Sequence, residues 1–188
     1  MSRWQPEART RLERAAMELF GERGFEQTTV AEIAARAGLT ERTFFRHYAD
    51  KREVLFGGSS GFSGLLVQSV ADAPAGATPI EMIAAVLATA GELFAERLDH
   101  ARQRQRIIGA HADLQERELI KLASLAASLA EALRQRGVAD AAARLVAEAG
   151  VAVFKISFGR WIDESNAAPL SDIIRESLAE LKAVTAGN

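Results

Sequence analysis

Apolar residues recur with a period near 3.6 along nearly the whole chain, and this repeat restricts the fold more than any other feature. Residues 12–20 and 122–133 show it most clearly, with apolar side chains three or four positions apart. No stretch combines alternating apolar and polar residues with β-branched enrichment, the pattern typical of strands. The sequence therefore predicts an all-α fold, and its 188 residues are enough for a small domain and a larger one.

Capping signals predict where the short N-terminal helices begin. Thr29, followed three residues later by Glu32, predicts a capping box at the start of a second helix. Thr40 is placed to cap a third helix through its hydroxyl group. Asp50 and Glu53 predict another capping box at the start of a fourth helix. The N-terminal part is therefore expected to consist of one longer helix and three short ones.

Two of these short helices, joined at Gly38, occupy about residues 29–48 and have the size of a helix-turn-helix. In such a motif the second helix lies in the major groove of DNA. Arg42 lies near the N-terminal end of that helix, where a guanidinium group can bond O6 and N7 of guanine. The residue types suited to phosphate contacts are Thr40, Thr43, His47 and Lys51.

The segment from Thr28 to Phe56, TTVAEIAARAGLTERTFFRHYADKREVLF, resembles the N-terminal domain of the TetR (tetracycline repressor-like) transcriptional regulators. The resemblance implies about nine helices, with a three-helix helix-turn-helix DNA-binding domain in residues 1–56. Residues 57–188 are then a helical ligand-binding and dimerisation domain. The implied function is a ligand-responsive repressor that binds a pseudo-palindromic operator as a homodimer and is released by a small apolar effector.

Carried over position by position, the DNA contacts of that family fall on seven residues of this chain: Thr28, Thr40, Arg42, Thr43, Phe45, His47 and Lys51. Phe45 departs from the pattern, because the family commonly has tyrosine there. The phenylalanine loses the hydroxyl bond to phosphate and retains only apolar contact with a sugar or a thymine methyl group.

The last two predicted helices, about residues 140–163 and 169–185, are rich in small and aliphatic residues. The resemblance implies that they pair with their copies in a four-helix dimer interface, whereas the alternative is that they only close the core of one chain. The residues predicted for the interface are Leu145, Ala149, Ala152, Leu170, Ile174, Leu178 and Leu181.

An effector pocket is expected among the helices after residue 60. Phe154, Phe158 and Trp161 share one helix face, a pattern more typical of core or interface than of a ligand wall. The further pocket candidates are Phe62, Met82, Phe94 and His111. With so few ionisable groups among these residues, the expected effector is apolar with one or two polar groups.

Residues 57–64, GGSSGFSG, permit either a hinge between two domains or a tight turn with one glycine that allows close packing. They also contain the spacing G-x-S-x-G in Gly57, Ser59 and Gly61, the motif of a hydrolase nucleophile. That motif requires a strand before the serine, and none is predicted here. The sequence therefore predicts no enzyme.

Composition adds weaker restrictions. Residues 1–56 carry a net charge of +1 and residues 57–188 a net charge of −3, so no strongly basic surface signals DNA binding. The chain has no cysteine, and its histidines lack metal-ligand spacing, so we expect no metal and no cofactor. No signal peptide or membrane span is visible, which predicts a cytoplasmic protein. An architectural DNA-binding protein and a regulator controlled by a protein or peptide remain alternatives.

Overall fold

The computed structural model of the chain describes residues 4–57 and 59–187 and confirms the all-α prediction, since these residues contain helices and no strand. Ten helices are present in the described ranges, where the resemblance implies about nine. Their bounds are α1 Trp4–Arg23, α2 Val30–Arg36, α3 Glu41–His47, α4 Lys51–Leu55, α5 Ser59–Ala71, α6 Pro79–Phe94, α7 Leu98–Gly109, α8 Ala112–Gln135, α9 Asp140–Ile162 and α10 Leu170–Ala186.

The described part of the chain divides into two compact units. The first unit contains residues 4–57 and 100–118, and the second contains residues 60–99 and 119–187. The functional division into residues 1–56 and 57–188 stays a prediction. Within the described residues, no helix has both the length and the apolar character needed to cross a membrane.

The first unit has a core built from the predicted apolar stripe of α1. Leu12 and Phe20 of that stripe pack with Ile33 of α2, Phe44 of α3 and Leu114 of α8, all of them buried. Asp50 caps α4 by accepting hydrogen bonds from the backbone N–H groups of Arg52 and Glu53, at 2.9 and 3.0 Å. The short helices α2, α3 and α4 are therefore held by their caps and by burial of one face.

The second unit has its core among α6, α9 and α10. A Cβ atom on Gly150 of α9 would lie 2.6 Å from Cγ2 of Ile83 in α6. A Cβ atom on Gly91 of α6 would lie 3.1 Å from the Ser171 backbone in α10. Both glycines therefore permit close approach of neighbouring helices. Arg136 fixes the end of α5 by donating to the carbonyl groups of Val70, Ala71 and Pro74 at 2.7–2.9 Å.

Residues 59–64 of the glycine-rich segment belong to α5, so this part of the segment is helix, and the choice between a hinge and a tight turn stays a prediction. Gly58 lies outside the described residues. Gly57 is the glycine that allows close packing: a Cβ atom there would lie 2.6 Å from Oε1 of Glu13 and 2.7 Å from the Tyr48 hydroxyl. The Tyr48 hydroxyl donates to that same Glu13 oxygen at 2.8 Å, and burial together with this bond raises the pKa of Tyr48.

We expect Gly57→Ala to lower the free energy of unfolding by about 1–3 kcal/mol, because the added methyl group displaces the Tyr48–Glu13 pair from a packed site. Gly64→Ala is the matched control, since a Cβ atom there meets no atom within 4 Å. Because Gly64 lies in the interior of α5, Gly64→Ala should instead raise the free energy of unfolding by about 0.5–1 kcal/mol. Urea unfolding followed by circular dichroism measures both changes, and equal effects of the two substitutions would contradict this packing role.

Candidate nucleic-acid interface

The turn between α2 and α3 is fixed by backbone bonds and by one arginine of α1. The backbone N–H of Leu39 donates to Ala34 at 2.8 Å and that of Gly38 to Ala35 at 2.9 Å, the two bonds of a Schellman motif. Gly38 has φ of 65°, a left-handed conformation that glycine adopts without strain. Arg11 donates to the carbonyl groups of Ala37 and Gly38. The angle between α2 and α3 is therefore set before any ligand binds.

The capping residues of α2 and α3 behave as the sequence predicts. Thr29 and Glu32 form the complete capping box, with bonds of 2.9 and 3.2 Å. The hydroxyl of Thr40 accepts from the backbone N–H of Thr43 at 3.2 Å and lies 3.1 Å from the Thr43 hydroxyl. Thr40 is therefore the N-cap of α3 and holds the first turn of that helix in place.

One face of α3 is buried and the opposite face is open to solvent. Phe44 is fully buried, whereas Arg42 and Arg46 are exposed and Phe45 is 54% exposed. Neither arginine makes a hydrogen bond or ion pair with a residue in the described part of the chain. Since Arg42 and Arg46 are four positions apart, their side chains lie on the same side of the helix. This surface, Arg42, Phe45 and Arg46, is called the α3 face below.

Thr28 does not join the α3 face, because its side chain is only 1% exposed. Its hydroxyl donates to the carbonyl of Gly24 at 2.9 Å and lies 3.4 Å from that of Leu19. A phosphate contact through this hydroxyl would require breaking buried hydrogen bonds. We therefore withdraw Thr28 as a side-chain contact to DNA and assign it to the packing of α2 against α1.

Lys51 is also held inside the first unit. Its ammonium group donates to the carbonyl groups of Phe25, Glu26 and Thr28 at 2.8–3.2 Å and lies 4.4 Å from the centre of the Phe25 ring. Three donors are all that an ammonium group has, so none is left for phosphate. The sequence pattern indicates a cation at this position. It does not indicate that backbone carbonyl groups of the loop between α1 and α2 accept all the hydrogen bonds of that cation.

His47 lies at the end of α3, and its Nε2 atom is buried without a hydrogen-bond partner among the described residues. Burial, together with the positive charges of Arg46 and Arg9, lowers the pKa of the His47 imidazole below its usual value. At pH 7 the ring is therefore neutral. Contact of His47 with phosphate stays a prediction, and it concerns a neutral ring rather than a cation.

Five of the predicted pocket residues come together in the second unit, as an aromatic cluster with neighbouring ring centres 5.3–6.0 Å apart. The five are Phe62, Phe94, Phe154, Phe158 and Trp161. Met82 is buried in α6. His111 belongs to the first unit, where its ring centre lies 5.1 Å from that of Phe25, and its part in an effector pocket stays a prediction.

A small apolar cavity of about 10 Å³ adjoins this cluster, since Phe154 is part of both. That volume is close to the smallest that holds one water molecule. Its lining includes side chains of four helices: Leu66 of α5, Ile83 and Leu87 of α6, Leu125 of α8 and Phe154 of α9. A drug-sized molecule would have to separate these helices or displace Phe154 to enter.

The predicted dimer residues divide into two groups. Leu170, Ile174 and Leu178 of α10 are only 2–8% exposed, so the single chain already buries them and leaves little surface for a partner. By contrast, Leu145 is 71% exposed, Ala152 is exposed, and Ala149 and Leu181 are half-buried. Ile156, which is 59% exposed, is not among the residues predicted for the interface. The available signal was the spacing of 145, 149, 152 and 156, which is that of a helix-pairing seam.

Comparison with protein families gives two matches. The model described as bacterial regulatory proteins, tetR family, matches residues 13–56, and the model described as the MftR C-terminal domain matches residues 65–186. A curated relative, the HTH-type transcriptional regulator TcmR of Streptomyces glaucescens, is 40% identical over 73 residues. The matched segment is 39% of this chain and 32% of TcmR, about a third of that relative.

Solved structures show the same fold over nearly the whole chain. FadR of Thermus thermophilus, a TetR family transcriptional repressor solved with lauroyl-CoA, is 25% identical with a TM-score of 0.55, and the match covers 93% of both chains. SmeT, the repressor of the Stenotrophomonas maltophilia efflux pump SmeDEF, is 22% identical with a TM-score of 0.64. That match covers 94% of this chain and 89% of SmeT.

Removing the ammonium group of Lys51 should destabilise the first unit. We expect Lys51→Met to lower the free energy of unfolding by about 1–3 kcal/mol, because three backbone carbonyl groups lose their donor. Arg42→Ala is the control, because it removes an exposed, unpaired cation. It should change the free energy of unfolding by less than about 0.5 kcal/mol. Urea unfolding measures both. Unchanged stability of Lys51→Met would return Lys51 to the residues available for phosphate.

Proposed function

This chain belongs to the TetR family of bacterial transcriptional regulators, and from that premise we propose that it is a cytoplasmic, ligand-responsive repressor that binds a pseudo-palindromic operator as a homodimer. The observation that carries the proposal is the α3 face, where Arg42 and Arg46 stand exposed and unpaired on a helix whose opposite side is buried. Exposed cations held on a rigid helix are what recognition in the major groove requires.

The two arginines are proposed to have different roles. Arg42, in the first turn of α3, is placed to bond O6 and N7 of a guanine in bidentate fashion. Arg46, one turn later, is placed for a phosphate, where it supplies affinity without sequence preference. Phe45 lies between them and supplies apolar contact to a thymine methyl group or a sugar. The hydroxyl groups of Thr40 and Thr43, at the start of α3, are proposed to contact phosphate, and the one that accepts the hydrogen bond between them donates its own proton to the phosphate.

A dimer follows from the operator geometry. Two copies of α3 reach successive turns of one face of DNA only if the chains associate with about 34–36 Å between their recognition helices. We propose that α9 supplies the centre of this interface through Leu145, Ala149, Ala152 and Ile156. The two exposed aliphatic side chains flank two alanines, so a partner helix can approach closely and bury both.

The proposed effector site is the aromatic cluster with its adjoining cavity in the second unit. The residues there are apolar, which favours an apolar effector. FadR of Thermus thermophilus was solved with lauroyl-CoA, a molecule with a long apolar chain. An effector of this kind weakens DNA binding to the extent that it binds better to the DNA-free state.

Two other functions are less well supported. An architectural DNA-binding protein has no use for the apolar cavity and the aromatic cluster of the second unit. An ester hydrolase would need a nucleophile at Ser59 after a strand, whereas Ser59 begins α5 and no strand occurs in residues 4–57 or 59–187. Relatives of the chain are regulators, and we propose that this chain catalyses no reaction.

We expect the wild-type chain to select a pseudo-palindromic sequence from a pool of random DNA duplexes. On that sequence, Arg42→Ala should cost about 1–3 kcal/mol per half-site and relax the preference at one base pair. Arg46→Ala should weaken operator and random DNA alike and lower the salt slope by about 1. Arg97→Ala, an exposed arginine of the second unit, is the control for loss of one charge. Fluorescence anisotropy at several salt concentrations measures these effects, and identical behaviour of the Arg42 and Arg46 variants would contradict the proposed roles.

We expect the wild-type chain to be dimeric in solution and Leu145→Glu to be monomeric with unchanged helix content. A carboxylate forced into an apolar interface loses hydration at a cost of several kcal/mol. Leu119→Glu, at a side chain 55% exposed on α8, is the matched control and should stay dimeric. Light scattering distinguishes these states. A monomeric wild type, or a dimeric Leu145→Glu variant, would contradict an interface centred on α9.

A further inference from the structure

Ser157 in α9 has a hydroxyl group that the protein itself does not use. The residue is fully buried, and its Oγ atom has no hydrogen-bond partner among the described residues. Other helical hydroxyl groups bond the carbonyl four residues earlier at 2.9–3.1 Å, namely those of Ser69, Thr89, Ser124, Ser128 and Thr185. A buried, unpaired hydroxyl is costly, and its presence calls for a physical reason.

Ser157 shares one face of α9 with two members of the aromatic cluster. It follows Phe154 by three residues and precedes Trp161 by four, so the three side chains share one face of α9. Phe154 also lines the apolar cavity. Four of the five rings, all except that of Trp161, remain partly exposed, so the cluster is not sealed. Ser157 is therefore an unused, buried polar group on the helix face that also carries rings of the partly exposed cluster.

The charges around Ser157 restrict what such a ligand can be. The five rings of the cluster carry no ionisable group, and the cavity lining is apolar throughout. Arg160, the next cation along α9, pairs with Glu176 at 2.5 Å and donates to the hydroxyl of Ser177 at 3.2 Å. A buried carboxylate or ammonium group of a ligand would have no counter-charge here. The site therefore suits a neutral molecule.

Accordingly, we propose that Ser157 is the polar anchor of the effector site, and that the effector is a neutral aromatic molecule carrying one hydroxyl or carbonyl group. This inference rests on the proposed ligand-responsive function and adds the class of ligand. The ligand ring stacks among Phe62, Phe94 and Phe154, while its polar group exchanges a hydrogen bond with Ser157 Oγ. A ligand without that group leaves Ser157 unpaired and binds more weakly.

The test compares 1-naphthol with naphthalene by equilibrium dialysis against the full chain. The two probes have the same rings, and naphthalene is the more hydrophobic, so non-specific adsorption favours naphthalene. We expect the wild type to bind 1-naphthol at least about tenfold more tightly than naphthalene. In Ser157→Ala this preference should fall below about twofold through loss of 1-naphthol binding alone. Equal binding of the two probes to the wild type, binding of neither, or a preference retained in Ser157→Ala would overturn the proposal.

A matched variant separates anchoring from packing. Ser177→Ala removes another buried serine hydroxyl, one that accepts a bond from Arg160, and should keep the tenfold preference while lowering the unfolding midpoint. Ser157→Ala should leave that midpoint unchanged or raise it, because its hydroxyl has no partner to lose. If Ser157 were only a small residue needed for close packing, alanine would preserve the probe preference, and the proposal would fail.

Failure of this inference and failure of the proposed function are distinguishable, because the dialysis contains no DNA. A chain that selects no DNA sequence but shows the Ser157-dependent preference contradicts only the repressor function. A chain that selects an operator but shows no such preference contradicts only the role of Ser157.

Discussion

Burial of Phe44 is the interaction on which the DNA-recognition surface depends. A helix of seven residues is not stable alone in water, so α3 persists because Phe44 packs in the core of the first unit and Thr40 caps its start. The left-handed turn at Gly38 then fixes the orientation of α3 relative to α2. Because one side of α3 is fixed in this way, Arg42 and Arg46 are presented on the other side at little further cost in conformational entropy.

Both candidate sites are marked by groups whose bonding capacity the protein leaves unused. In the first unit the unused groups are the guanidinium groups of the α3 face. They are exposed to solvent, so their positive charge can attract an anionic partner from a distance. In the second unit the unused group is the buried hydroxyl of Ser157. Because it is buried, a single hydrogen bond to it discriminates more strongly between neutral ligands with and without a polar group. Lys51 and Arg11 illustrate the contrast, because their bonds to backbone carbonyl groups already hold the fold together.

The sequence predicts those structural features that depend on residues three to seven positions apart. The all-α fold, the capping box of Thr29 and the turn at Gly38 all depend on such short spacings, and the structure contains them. The burial of Thr28, the occupied ammonium group of Lys51 and the packing of His111 on Phe25 depend on residues distant in sequence, so periodicity could not reveal them. The same reason explains Ile174, whose apolar character suits a dimer interface and a protomer core equally well until neighbouring helices are known.

Methylation interference on the selected operator shows which base edges the protein touches, and so tests whether α3 reads DNA in the major groove. Methylation of guanine N7 blocks the bidentate contact assigned to Arg42. Recognition through the α3 face predicts interference at one guanine in each half-site, at positions related by the operator symmetry and about one helical turn apart. In Arg42→Ala the same methylation should have no further effect. Interference that is absent in the wild type, or that persists unchanged in Arg42→Ala, would contradict recognition of DNA through the α3 face.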